Sequence, residues 1–196
     1  MTAWLEKSET RRVIDKDRGN ATTLPIMTIA VGDTIPDVEL GYVPYTPELE
    51  DPIVCGLPGK ISTHKDWKGK KIVLFGIPGA FTKTCSENHV PPYVTAYDQF
   101  KAKGVDAIYC IATNDLFVQS AFGRVQKTGD KVICCSDPEM KFLRPAGLVQ
   151  DLSHVGFGER AKRFTLVIDD LKVTYVGEET GPGVGPSGAE AVLAKL

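Results

Sequence analysis

"KIVLFGIPGAFTKTCSENH", residues Lys71 to His89, carries an apolar run, a break and the start of a helix in one short stretch. The run "KIVLFGI" is apolar without alternation, as expected for a central strand covered on both faces. Pro78 and Gly79 interrupt it. Thr84, with Glu87 three residues on, then forms a capping-box pattern that predicts a helix with Thr84 at its N-cap. Cys85 falls at the first helical position, where backbone N–H groups lack intrahelical partners and the helix end is partly positive. Both features favour a thiolate, so the pattern predicts a reactive cysteine. A free cysteine is more often a small buried hydrophobe. The polar company of Cys85 (Thr82, Lys83, Ser86, Glu87) speaks for reactivity. His89, four residues on, shares its helix face and serves as a base, an orienting group or, more commonly, a structural hydrogen-bonder. Pro91 and Pro92 are expected to kink or end the helix.

Outward from this stretch, three more apolar runs read as strands: "VDAIYCIA" (105–112), "KVICCS" (131–136) and "FTLVI" (164–168). Asp169 and Asp170 make a turn, after which "KVTYVG" returns as a hairpin strand. Helical patterns lie between the strands. One covers 94–103. Another starts at Asn114 or Asp115, repeats apolar residues at Phe117, Ala121 and Val125, and stops near Gly129. The last starts at Ser187, with Glu190 completing a second capping box. "HKDWKGK" reads as a short helical turn, residues 44–60 as a Pro/Gly loop, and 29–43 as short strands broken by Gly32 and Pro36. Strands alternating with helices predict an α/β domain, and the late hairpin makes its central sheet mixed. The expected organisation is a polar N-terminal extension over 1–27 and one domain over 28–196.

The chain has 196 residues, 42% of them apolar, and a net charge of −2. No basic excess points to nucleic acid. No apolar stretch is long enough to span a bilayer. Five cysteines form no C-x-x-C pair, and three scattered histidines offer little for a metal, so neither metal nor cofactor is expected. The start lacks an apolar secretory region and carries four acidic residues in its first nineteen, which argues against a mitochondrial presequence. Free thiols then suggest a reducing compartment.

Pro78, Thr82 and Cys85 spell P-x-x-x-T-x-x-C, which resembles the active-site signature of peroxiredoxins. The longer string "FGIPGAFTKTCSENHVPPYV" is similar to the peroxiredoxin-5 and plant type II subfamily. So are "YCIATNDLFVQSAFGR", "SDPEMKF" and "GERAKRFTLVIDD". The resemblance runs from about Val31 to the C-terminus. It implies a thioredoxin-like fold, a central mixed sheet with helices on both faces. It also implies a thiol peroxidase that reduces hydrogen peroxide and organic hydroperoxides through a cysteine sulfenic acid. It makes Cys85 the nucleophile, Thr82 a hydroxyl donor to the peroxide, Arg163 the cation beside the sulfur, and Pro78 the shield that shapes the pocket. It further implies a homodimer formed through a surface beside the site.

Two departures stand out. Lys83 occupies a position that is proline in many relatives. Animal peroxiredoxin-5 carries a resolving cysteine near its C-terminus, in a stretch resembling "GPGVGPSGAEA"; here Pro186 or a neighbour holds that place, and no cysteine follows Cys135. Cys110, Cys134 and Cys135 lie in strand patterns and read as inert packing. Adjacent strand residues face opposite sides, so Cys134 and Cys135 should part. Cys55, in the Pro/Gly-rich loop, is the more exposed. The expectation is a one-cysteine mechanism with an external thiol reductant, glutathione with glutaredoxin, or thioredoxin. The final Ala194-Lys195-Leu196 is similar to the S-K-L peroxisomal address, so the expected location is cytosolic or peroxisomal. Two other classes compete. One is a peroxide sensor that relays oxidation to a partner protein. The other is a holdase-like scaffold, which would not need the arginine.

Overall fold

The computed structural model describes residues 10–14, 21–25 and 28–196. Strands β1 (Thr10–Ile14) and β2 (Ala21–Pro25) form an antiparallel pair inside the polar extension, where no strand was expected; the rest of 1–27 lies outside the described residues. Then follow β3 (Glu39–Tyr42), β4 (Gly59–Ser62), α1 (Thr63–Trp67) and β5 (Lys71–Gly76). A π-helical turn (Cys85–His89) leads into α2 (Val90–Thr95) and α3 (Tyr97–Ala102). The chain continues through β6 (Ala107–Ala112), α4 (Leu116–Val125), β7 (Ile133–Ser136), β8 (Val149–Asp151), β9 (Glu159–Ala161), β10 (Phe164–Asp169), β11 (Lys172–Glu178) and α5 (Ala189–Leu193).

Seven strands build one sheet in the order β11-β10-β5-β6-β7-β3-β4. β5, β6 and β7 run parallel at its centre, and the outer pairings are antiparallel. This is the expected mixed sheet. Its central strands are apolar on both faces because both faces are covered. Ile72 and Leu74 of β5 join one core with Trp67 of α1 and the Phe142–Leu143 segment. Val73, Phe75 and Ile77 join the other, with Tyr93 of α2, Phe100 of α3, Phe122 of α4 and Val192 of α5. Period-two alternation also parts the adjacent thiols as expected: Cys134 faces the second core and Cys135 the first. Gly76 is required by close approach, since a Cβ there would collide with the ring of Phe164 on the paired strand.

Three helix expectations change. The first helix starts before Thr84, which is already helical and makes no side-chain cap. The pattern over 94–103 divides into α2 and α3, with Ala96 between them. The last helix is capped at Gly188, because Ser187 turns its side chain to Glu179 instead. α4 begins as expected, with the Asp115 carboxylate accepting from the N–H groups of Phe117 and Val118. No helix among the described residues is long and apolar enough to cross a membrane.

Candidate active site

The site forms where β5 leaves the sheet. The Ile77 N–H still reaches the Ile111 carbonyl of β6 at 3.0 Å. The chain then turns sharply through Pro78–Phe81. Asn114, just past β6, pins this loop by accepting the Ala80 N–H at 2.9 Å. Phe81 sits at φ +63°, a left-handed conformation that is uncommon for a bulky residue, with its ring edge-on to Phe122. The Thr82 carbonyl accepts the first intrahelical bond, from Ser86, at 2.9 Å. Thr82 is therefore the N-cap, and Cys85 is the third helical residue, still within the first turn. The Thr82 hydroxyl donates to the Gly79 carbonyl at 3.0 Å. Its one proton is thus engaged within the loop, and its oxygen is left as an acceptor. That differs from the donor role expected of it.

Pro91 and Pro92 do not end the helix. Neither has an N–H, and each ring would press on the carbonyl four residues before it. The chain responds with one wider turn, closed by the Val90 N–H on the Cys85 carbonyl, and the helix then continues. The wide turn carries both Cys85 and His89, and both are fully buried.

Arg163 precedes β10 and has the parity of Thr165 and Val167, so it projects toward the second core. Both of its terminal nitrogens lie 3.5 Å from Cys85 Sγ. One of them also lies 3.1 Å from His89 Nδ1. A guanidinium can only donate, so Nδ1 accepts and the imidazole proton resides on Nε2, which donates to the Ser187 carbonyl at 3.1 Å. Burial lowers the His89 pKa to about 4; the Ser187 hydrogen bond opposes this and the charge on Arg163 assists it. His89 is therefore a neutral, weakly basic imidazole at pH 7, with both ring nitrogens engaged in hydrogen bonds. Arg163 is only 9% exposed, and among the described residues no carboxylate lies within ion-pairing distance of it.

The structure thus brings Cys85, Arg163 and His89 into contact and places Pro78 and Thr82 on the loop leading to them. Sequence reasoning missed Asn114, Tyr93, Thr165, Glu179 and the Ser187 carbonyl. The Tyr93 hydroxyl lies 2.8 Å from Thr165 Oγ1 and donates to the Ser187 carbonyl at 2.6 Å. The parity of Thr165 with Arg163 was a usable signal for one of these. A main-chain carbonyl offers none. Of the remaining cysteines, Cys110 and Cys135 are fully buried, and burial together with neighbouring thiols pushes both well above the ordinary thiol range. Cys134 is buried, and Cys55 is exposed.

The Redoxin family matches this chain over residues 30–193. A Malassezia furfur protein named "Putative peroxiredoxin" is 46% identical over 78% of this chain and 86% of its own length. A Lipomyces kononenkoae protein named "Putative peroxisomal peroxiredoxin" is 42% identical over 82% of this chain and 96% of its own. Among solved structures, reduced Prx3 from Vibrio vulnificus in complex with hydrogen peroxide superposes with a TM-score of 0.74. It is 35% identical and covers 85% of this chain and 95% of its own.

Proposed function

Because this chain belongs to the Redoxin family and is a peroxiredoxin, a thiol-dependent peroxidase, we propose that Cys85 is its peroxide-reactive nucleophile and that residues 28–196 hold all of the chemistry. The observation that carries this reading is the pair of 3.5 Å contacts from Arg163 to Cys85 Sγ. A buried cation without a carboxylate partner is costly, several kcal/mol on the usual scale (roughly 3–5 when a partner is missing). Cys85 Sγ is the group that both nitrogens face, and its thiolate form is the anion that would balance that charge.

In the reaction the thiolate attacks the terminal oxygen of a hydroperoxide. The S–O bond forms as the O–O bond breaks, sulfur loses two electrons, and the leaving oxygen takes up a proton and departs as water or an alcohol. Negative charge moves from sulfur toward the departing oxygen. Arg163, already aimed there, stabilises that shift without reorganising. The free lone pair of Thr82 accepts the peroxide O–H and turns the terminal oxygen toward sulfur. Pro78 closes the pocket and excludes water, which strengthens each of these interactions.

The resulting sulfenic acid is reduced by an external thiol in a one-cysteine cycle. The first thiol forms a mixed disulfide and releases water; the second attacks its external sulfur, so the two reductant thiols leave as a disulfide and the Cys85 thiol is returned. Burial of Cys110, Cys134 and Cys135 supports an outside reductant, glutathione with glutaredoxin or thioredoxin. The exposed ring of Phe81, on the loop beside Cys85, supports a homodimer that covers this side. The name of the Lipomyces relative and the Ala194-Lys195-Leu196 sequence support peroxisomal import in addition to a cytosolic location.

Rapid mixing with hydrogen peroxide, followed by steady-state turnover with each reductant system, tests the reading. The wild-type chain should turn over with a small thiol system, and Cys85→Ser should consume no peroxide. A single oxidation event with turnover only after a specific protein is added would indicate the relay instead.

A further inference from the structure

The Ser187 carbonyl carries an unusual load. His89 Nε2 donates to it at 3.1 Å, the Tyr93 hydroxyl lies at 2.6 Å and the Thr165 hydroxyl at 2.9 Å. The two hydroxyls are also 2.8 Å from each other, so one of their protons is shared between the carbonyl and its neighbour. A carbonyl oxygen has two lone pairs, and crowding three donors around it requires the peptide to be held from behind. Glu179 does this. Its Oε1 accepts from the Gly185 N–H at 2.6 Å, the Ser187 N–H at 2.9 Å and the Ser187 hydroxyl at 2.7 Å. Burial works against charge on Glu179, yet these bonds outweigh it and hold its carboxyl below the usual range. The Glu179 N–H also donates to the Arg163 carbonyl at 2.9 Å. Glu179 therefore grips both the main chain of the active-site arginine and the peptide that orients its histidine partner.

We propose that Glu179 is a positioning residue for peroxide reduction, acting through the Ser187 peptide and His89 to set the Arg163 guanidinium against Cys85. The proposal rests on the reading of Cys85 and Arg163 given above. Arg163 divides one nitrogen between Cys85 Sγ and His89 Nδ1. Nδ1 offers a lone pair only while Nε2 holds the proton, and the Ser187 carbonyl enforces that tautomer. With the carbonyl turned away, the ring is free to place its proton on Nδ1. Two donors would then face each other, and the guanidinium would be pushed off the sulfur. The Ser187–Glu190 capping box expected from sequence is absent because Ser187 serves this latch.

The test is a double-mutant cycle on the second-order rate of Cys85 oxidation by hydrogen peroxide. Glu179→Ala should slow oxidation about tenfold, within the range of coupling between residues of one network. Glu179→Gln, which keeps an acceptor oxygen, should slow it less. In an Arg163→Ala background, Glu179→Ala should add nothing. Nitrogen-15 NMR of His89 should show the Nε2–H tautomer in the wild-type chain and a mixture in Glu179→Ala. A wild-type rate in Glu179→Ala, equal slowing in both backgrounds, or an unchanged tautomer would each overturn the proposal. Should Glu179→Ala fail to fold, the same rate and tautomer comparisons on Glu179→Gln decide it. Failure of the underlying reading is distinct, since Arg163→Ala alone would then oxidise at the wild-type rate.

Discussion

Cys85 and Cys110 lie in the same apolar layer, both wholly removed from water. Cys110 lies within β6, beside Cys134 of β7 and the amide of Gln119, whose Nε2 reaches the Cys110 carbonyl at 3.5 Å. Burial and nearby thiols hold it protonated. Cys85 faces a guanidinium. Burial alone therefore does not distinguish the two thiols. The group buried beside each one does, because a low-dielectric setting magnifies whichever partner is present.

The largest effect that would break this contrast is on turnover itself. Cys85→Ser should abolish peroxide consumption, while Cys110→Ala keeps it. Residual turnover in the first variant would move the chemistry elsewhere. Next in size, Arg163→Ala should slow the oxidation of Cys85 by at least about tenfold, since loss of one charge-stabilising donor commonly costs more than that. Stopped-flow oxidation at pH 7 measures it, and a near-normal rate would remove the cation from the comparison.

A third measurement sharpens the role of the buried histidine. In the unfolded chain His89 binds a proton near pH 6.5, but in the fold only near 4. Between those values the unfolded state binds more protons, so stability falls as pH drops through that window. The loss attributable to His89 reaches about 3 kcal/mol. Urea unfolding of the wild-type chain and of His89→Gln from pH 7 to 4 isolates it, and equal pH slopes would refute it. The smallest effect is expected on the other side of the comparison. Cys110→Ala should cost about 1 kcal/mol of stability through a small cavity while leaving the oxidation rate of Cys85 unchanged. A rate change there would mean that the two thiols communicate.

Much of this was legible from residue order. The unbroken apolar run at Lys71–Gly76 announced a strand covered on both faces, and it lies third in a seven-stranded sheet. Asn114 or Asp115 announced the start of α4, and Asp115 caps it. The helix around Cys85 was legible in kind but not in detail. Thr84 and Glu87 suggested a cap that Thr82 supplies, and the adjacent prolines suggested a kink or a stop where the chain made a wider turn and went on. The misplaced cap has a physical cause: local patterns describe an isolated helix, while the Gly79 and Asn114 contacts fix where this one begins.

By itself, then, the amino-acid order determined the α/β architecture and the cysteine at the mouth of its first central strand, because periodicity and strand-to-helix punctuation are local properties. The resemblance pointed to Arg163, but only the tertiary structure decided how that sulfur is surrounded. Arg163 reaches Cys85 across 78 residues, and His89 is oriented by Ser187 across 98. The group that orients it is a main-chain carbonyl, which every residue type possesses and no sequence pattern can single out.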